Sequence, residues 1–269
     1  MNRVVFLRFS TILLALAVVI VPAILGCNAF FVPAAPNSPE SSSTVDTQSL
    51  GDLHAVSTGT PSENWAGYIV QGQSGAVTDV SAQWVVPSLT CGAQDTYAAI
   101  WIGIDGSTDR TVEQIGTEQD CVNGRALYYP WYEMFPRPPS NLLKLPIEPG
   151  HVIKADVKYT GSNQFTMTIT DVTTGQNFST TRTDKGARRR SAEWIVEAPA
   201  SRGVLPLADF GTIQIGSATA TVNGQTGPIT SSNWQRRAMI MATANGTLKA
   251  RPTTLTSDGR GFEVIWRSS

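Results

Sequence analysis

The stretch "QFTMTITDVTTGQNF", residues 164–178, decides the fold class of this 269-residue chain. Phe165, Met167 and Ile169 alternate with three threonines, and successive side chains of a β-strand point to opposite faces of a sheet. The run breaks at "TTGQ", where Gly175 suits a tight turn, and then resumes. Two short strand-like runs joined by a turn predict an antiparallel β-hairpin.

The same pattern recurs along most of the chain after Glu63. Short runs rich in valine, isoleucine, threonine and aromatic residues stand between turn signals, and no long stretch has the helical period. Ten such runs are "AGYIV", "VSAQWVV", "YAAIWIGI", "ALYYPWYEMF", "VIKADVKY", "QFTMTITD", "AEWIVEA", "GTIQIG", "AMIMAT" and "FEVIW". The fold class is therefore predicted to be all-β, an antiparallel sandwich or barrel.

The N-terminal segment has the charge order of an export signal. Arg3 and Arg8 precede or enter an apolar run that ends in "AILGC", so residues 1–26 are predicted to be a signal peptide. The ending resembles the lipobox of bacterial lipoproteins, in which the cysteine, here Cys27, receives lipid. Ordinary cleavage near "VPAAP" and a retained membrane anchor are the alternatives. The protein is thus expected to be exported, either secreted or lipid-anchored at a bacterial cell envelope.

Composition separates a linker from a folded domain. Proline, serine, threonine, alanine and glycine dominate residues 27–60, which predicts a flexible tether or a propeptide. Residues 61–269 are expected to form one domain. The net charge of −1 offers no general attraction for nucleic acid or for an anionic membrane. We expect a monomer whose only membrane contact is the N-terminal lipid.

The few cysteines and histidines limit the kinds of catalytic site and metal site that the chain can form. If Cys27 carries lipid, Cys91 and Cys121 remain as a pair in an oxidising compartment, and a disulfide between them would contribute about 3 kcal/mol. His54 lies in the tether and His151 opens a strand, so a serine or cysteine nucleophile has no base. These few ligands also do not make a metal site, and neither a metal nor a cofactor is expected.

An acid stands in the middle of the strand-like run "SAEWIVEA", residues 191–198. Ala192, Trp194 and Val196 share one face of this strand, and Glu193 lies on the other face with Glu197. Glutamate is a poor strand former. By pattern alone, the simplest interpretation of both acids is the solvated face of a sheet.

Six strings that occur in one order change that interpretation, because together they resemble the glutamic peptidases of the eqolisin family. The strings are "ENWAGY" (63–68), "WIGIDG" (101–106), "EQIG" (113–116), "WYEMFP" (131–136), "TTGQ" (173–176) and "AEWIVE" (192–197). The resemblance runs from Asn64 to the C-terminus, and the lipobox suggests a bacterial member.

The resemblance implies a sandwich of two curved antiparallel sheets, of the concanavalin A-like or jelly-roll type, with a catalytic pair on the concave face. The family glutamine falls on Gln114 and the family glutamate on Glu193. It implies a secreted acid endopeptidase that acts on polypeptides, in which Glu193 activates water and Gln114 stabilises the oxyanion. A carboxylate base works in acid, where a histidine base is protonated.

Four further positions match family residues near the cleft and are expected to bind substrate. They are Trp65, Trp101, Asp105 and Glu133. Core packing would explain the two tryptophans equally well, and turn chemistry would explain Asp105. The chain departs from the family pattern at Glu118, where the family has an aspartate, and this puts the substrate preference in doubt.

Two other functions fit an all-β fold of this kind. A carbohydrate-binding or lectin-like sandwich would use Trp65, Trp101 and Trp131 as stacking platforms. A retaining glycosidase would pair Glu193 with a second carboxylate at about 5 Å. A pure binding module has no need of the Gln114 and Glu193 pair, so the substitution Glu193→Gln separates these classes.

Overall fold

Residues 57–269, the part of the chain that the computed structural model describes, form sixteen β-strands. The strands are β1 (Thr60–Ser62), β2 (Trp65–Gln71), β3 (Val77–Val85), β4 (Thr96–Ile104), β5 (Val112–Val122), β6 (Arg125–Phe135), β7 (Ser140–Asn141), β8 (Val152–Gly161), β9 (Gln164–Asp171), β10 (Asn177–Thr183), β11 (Ser191–Glu197), β12 (Thr212–Val222), β13 (Gln225–Gly227), β14 (Gln235–Ala242), β15 (Leu248–Pro252) and β16 (Phe262–Trp266). Within these residues, no helix has the length and apolar character needed to cross a membrane. The predicted signal peptide, Cys27, His54 and most of the tether lie outside the described residues.

The predicted hairpin at residues 164–178 is confirmed. β9 and β10 pair in antiparallel fashion, and Gly175 between them has a φ of 74°, a left-handed conformation that glycine adopts at no steric cost. Phe165, Met167 and Ile169 are fully buried, whereas the alternating threonines are partly exposed. Each of the ten runs identified from the sequence lies within a strand or extends at most one residue beyond its end.

The strand that carries Gln114 was not among those ten runs. β5 reads "VEQIGTEQDCV", and its glutamates, glutamines and aspartate are poor strand formers. Ten of its eleven residues are nevertheless buried. The strand lies between β4 and β6, so its ladder hydrogen bonds are complete on both sides, and this tertiary environment overrides the weak local preference.

The strands form a continuous hydrogen-bonded path that folds over into two layers. The path runs β10-β9-β8-β3-β12-β16-β15-β14-β2-β11-β4-β5-β6-β7, with β13 beside β12. The pairings are antiparallel except that β1 runs parallel to β14. β3, β8 and β9 pack face to face against β4, β5 and β11 without being their hydrogen-bonded neighbours. The architecture is a β-sandwich and not a closed barrel, which settles the choice that the sequence left open.

Two tryptophans hydrogen-bond across the core between the layers. Trp84 of β3 donates from its indole nitrogen to the Thr117 hydroxyl of β5 at 3.0 Å, and Trp194 of β11 donates to the Ser81 carbonyl of β3 at 2.9 Å. Both rings are buried, so these bonds satisfy polar groups that would otherwise be costly to bury. They hold β5 and β11 against the same opposing strand.

The predicted disulfide between Cys91 and Cys121 is confirmed. Its Cα atoms are 5.4 Å apart, and it joins the segment before β4 to the end of β5. Closing a loop of this length restricts the unfolded chain and contributes about 3 kcal/mol.

Candidate active site

The candidate site lies on the outer face of β2, β11, β4, β5 and β6, which is the face turned away from the other layer. Strand register places five residues in one row across these strands. In order they are Ile69, Glu193, Gly103, Gln114 and Glu133. Directly paired residues project their side chains to the same face of a sheet. The two residues predicted to be catalytic therefore share one face, two strands apart.

Gly103 is the only residue that separates Glu193 from Gln114 in this row. Neighbouring strands lie about 4.8 Å apart, so the two Cα atoms are separated by about 10 Å. A Cβ atom at position 103 would lie 3.1 Å from the Gln114 Cβ, from Trp101 Cζ3 and from Val112 Cγ1. Position 103 is therefore too crowded for a side chain without a shift of these neighbours, and the glycine places none between the carboxylate and the amide.

Glu133 fixes the orientation of the Gln114 amide. Gln114 Nε2 donates a hydrogen bond to Glu133 Oε2 across the β5–β6 pair. Both residues are buried, with exposed fractions of 2% and 3%. A primary amide carries two N–H groups. One of them is held by Glu133.

Asp105 fastens the loop that leads into β11. Its carboxylate accepts hydrogen bonds from the backbone N–H groups of Arg188, Arg189 and Arg190, at 2.6, 2.6 and 2.7 Å. Asp105 is fully buried, and this burial raises its pKa to about 6 although the three N–H groups oppose the shift. Since Glu193 follows the loop by three residues, Asp105 sets the position of the strand that carries it.

The three tryptophans of the outer face are almost completely buried. The exposed fractions of Trp65, Trp101 and Trp131 are 6%, 0% and 6%. Trp65 meets Trp101 edge to face, with ring centroids 5.1 Å apart and planes at 75°. Stacking platforms for a sugar need exposed ring faces, so this arrangement does not support the lectin-like alternative.

Glu197 is not a solvated strand end, and that interpretation of the sequence is wrong. Only 4% of the residue is exposed. Its carboxylate accepts hydrogen bonds from Asn64 Nδ2 and from Trp101 Nε1, both at 2.8 Å. Glu197 thus joins β11 to β4 and to the segment before β2. Its hydrogen bond also fixes the Trp101 ring on the outer face, the face that carries Glu193.

A second acidic group, made of Glu118 and Asp120, lies further along the same face of β5. Burial raises the pKa of both carboxyls, that of Asp120 to about 7 and that of Glu118 well above its usual range. The charges of Asp120, Glu197 and Glu133 raise the pKa of Glu118 further. The two carboxyls hydrogen-bond each other, and the Tyr129 hydroxyl donates to Asp120 Oδ2 at 3.0 Å.

Asp120 and Glu113 are buried acids that sequence reasoning missed. The available signal for Asp120 was the two-residue period of β5, since residues 114, 116, 118 and 120 must share a face. Glu113 is fully buried, and burial, followed by the charges of Asp105, Asp184 and Glu193, raises its pKa well above its usual value. Nothing in the local pattern predicts such burial.

A cavity of about 360 Å³ opens beside the row. Its apolar lining consists of Trp65, Ile69, Phe135 and Met239, together with Ala200 and Val204 from a loop. Its polar rim consists of Ser62, Glu63, Asn64, Gly106, Ser107 and Asp109. Because Ile69 is the direct partner of Glu193, an apolar group in this cavity would lie next to the carboxylate. Of the four residues predicted to bind substrate, Trp65 lines this cavity.

Residues 63–262 match the model of the Peptidase A4 family. The chain belongs to this family. The match covers most of the chain and confirms the family resemblance of the six motifs. Among described residues, no group of three or more His, Cys, Asp or Glu side chains is arranged to hold a metal ion.

Two curated proteins are similar in sequence to this A4-family chain. Aspergillopepsin-2 of Aspergillus niger is 30% identical over 189 residues, which cover 61% of this chain and 66% of the relative. Scytalidopepsin B of Scytalidium lignicola is 32% identical over 142 residues, covering 51% and 52%. The match thus spans between about half and two thirds of the length of these relatives.

The solved structure shows a shared fold. Scytalido-glutamic peptidase with a peptide-based transition state analog superposes with a TM-score of 0.64 at 24% sequence identity. The superposition covers 76% of this chain and 98% of that one. The β-sandwich is therefore common to both proteins.

Proposed function

We propose that this protein is a glutamic-type endopeptidase that hydrolyses peptide bonds in acid with Glu193 and Gln114 as its catalytic pair. The observation that carries the proposal is the row of Glu193, Gly103 and Gln114, in which a carboxylate and an amide lie on one face with only a glycine between them. Membership of the A4 family supports the same reaction class.

In the first step, the Glu193 carboxylate takes a proton from a water molecule while the water oxygen attacks the peptide carbonyl carbon. A tetrahedral intermediate forms, and its oxygen carries the negative charge. The N–H of Gln114 that Glu133 does not hold donates to this oxyanion. Such a donor, fixed before the reaction, typically contributes about 10²–10³ in turnover.

In the second step, the protonated Glu193 returns its proton to the amide nitrogen. The C–N bond then breaks, and the products are a new carboxyl terminus and a new amine. Glu193 is restored to its carboxylate form, so the same group serves as base and then as acid. The Gln114 amide is neutral throughout and keeps its function at low pH.

The substrate of this reaction would be a polypeptide in an extended conformation. The apolar lining of the cavity beside Glu193 suits a bulky hydrophobic side chain next to the scissile bond. Trp65 and Ile69 form the wall nearest to the row. The other three positions expected to bind substrate position neighbouring groups. Trp101 packs edge to face against Trp65, Asp105 holds the loop before β11, and Glu133 orients Gln114.

The N-terminal sequence supports an exported protein. The lipobox-like ending at Cys27 suits a bacterial lipoprotein in which residues 27–60 act as a tether. On this proposal the domain is a monomer held near the envelope surface. Metabolic labelling with a fatty acid, compared between the natural chain and a Cys27→Ser variant, tests the lipid.

The decisive experiment measures cleavage of an unfolded protein between pH 2 and pH 7. A chelator and serine- and cysteine-directed inhibitors are present throughout. The natural protein should cleave on the acid side, and Glu193→Gln should abolish cleavage while leaving the thermal unfolding midpoint nearly unchanged. Glu148→Gln, which changes an exposed loop glutamate, is the matched control. Retained cleavage by the Glu193 variant would refute the proposal.

A further inference from the structure

The row that contains the catalytic pair extends one strand further, to an arginine. Arg237 of β14 pairs with Ile69 of β2, which in turn pairs with Glu193. Arg237 therefore lies on the outer face. Its Nη2 donates to Gln71 Oε1, and Gln71 Nε2 donates to Ser107 Oγ at 3.1 Å. Ser107 and Ile69 line the cavity, so Arg237 is connected to the cavity wall through Gln71 and through its direct strand partner.

The guanidinium has capacity for an anionic ligand. Within residues 57–269, no carboxylate lies within 4 Å of the Arg237 guanidinium, so its charge is not neutralised at that distance. Arg237 is exposed, and its contact with Gln71 uses one of its five N–H donors. The remaining planar fork matches the geometry of a carboxylate.

Arg237 also differs in charge from its surroundings on this face. The outer-face side chains of β6 and β11 include the acids Glu133, Glu193 and Glu197. An arginine that borders such a face is the point at which an acidic group of a substrate would be attracted and not repelled.

Resting on the proposed function, we propose that Arg237 determines substrate specificity by binding an aspartate or glutamate side chain of the peptide. The Cα atoms of Arg237 and Glu193 are two strands apart, about 10 Å. An extended peptide advances about 3.3 Å per residue, so the acidic side chain would lie about three residues from the scissile bond.

The preference depends on pH in a defined direction. Substrate carboxylates have pKa values of about 4, whereas arginine stays protonated throughout. The preference is therefore present above about pH 5 and is lost as the substrate carboxyl becomes protonated below about pH 3. High salt should weaken it, because both groups are exposed to solvent.

The test uses pairs of fluorogenic peptides that differ only by glutamate or glutamine at one position, within four residues of the scissile bond on either side. The ratio of kcat/KM within each pair is measured at pH 5.5 and pH 3. The enzymes compared are the natural protein, Arg237→Gln and the control Arg236→Gln. Arg236 is a neighbouring exposed arginine of the same strand, and its partner Val70 belongs to the main core, so it lies on the opposite face.

The natural protein and the Arg236 variant should favour glutamate at one position by about two- to fivefold at pH 5.5, the range of an exposed ion pair. The Arg237 variant should cleave the glutamine peptides normally and show a ratio near one. Normal cleavage with the same ratio in the natural protein and the Arg237 variant would overturn this inference alone. If none of the peptides is cleaved, the proposed function fails, and the inference fails with it.

Discussion

Replacing Gly103 by alanine tests whether a glycine is needed between Glu193 and Gln114 for catalysis. The added Cβ would lie 3.1 Å from three atoms, those of Gln114, Trp101 and Val112. These contacts are tighter than ordinary van der Waals distances, so each neighbour must move by a few tenths of an ångström. The Gln114 Cβ is one of them, and any shift of it is passed on to the amide.

The expected effect on activity is larger than the effect on stability. Overpacking costs about 1–3 kcal/mol, whereas an alanine in place of glycine recovers about 0.4–1 kcal/mol by restricting the unfolded chain. The net loss of about 0–2.5 kcal/mol corresponds to a decrease in Tm of several degrees at most. Displacement of reacting groups toward 1 Å costs about 10²-fold, so kcat should fall by one to two orders of magnitude.

The assay is steady-state cleavage of a fluorogenic peptide in acid, combined with thermal unfolding of each variant. Gly92→Ala is the control, because a Cβ at that exposed position meets no atom within 4 Å. If Gly103→Ala keeps more than half of the natural kcat while remaining folded, the proposal that the pair acts across this gap is refuted.

Three further predictions concern the buried acids and the disulfide. Because the folded-state pKa of Asp120 is raised to about 7 from 3.8, its contribution to stability is complete below pH 4 and is lost as the pH rises through 7, about 4 kcal/mol in all. Between pH 4 and pH 8, urea unfolding of Asp120→Asn should therefore show a smaller loss of stability than urea unfolding of the natural protein. Replacing Cys91 and Cys121 by serine should lower the free energy of unfolding by about 3 kcal/mol, measured in urea without reductant. Asp105→Asn should cost about 1–3 kcal/mol, because it weakens the acceptor for three backbone N–H groups, and should lower kcat by displacing β11.

Each of these predictions has an outcome that contradicts it. Equal pH dependence of unfolding in the natural protein and the Asp120 variant would show that this carboxyl does not hold its proton. An unchanged urea midpoint in the double serine variant would mean that the disulfide adds no stability. For Asp105→Asn, loss of stability with full activity would separate the loop contact from the position of Glu193.

Local pattern determined the all-β class and the strands with one apolar face. Residues such as Phe165 and Met167 alternate with polar neighbours, and the two-residue period that reveals this is a property of adjacent residues. The motif strings likewise predicted Gln114 and Glu193 as the catalytic pair, and cysteine counting predicted the disulfide that the structure contains. All of this information lies within short segments or in residue counts.

Only the tertiary structure decided which side chains meet, how deeply the acids are buried and in which direction their pKa values shift. Register across β2, β11, β4 and β5 brought Glu193, Gly103 and Gln114 into one row, and no single segment encodes that alignment. Burial turned Glu197 from an apparent surface acid into a hydrogen-bonded anchor, and it raised the pKa of Asp120. Desolvation depends on every segment that covers a group, so it becomes visible only when the chain is folded.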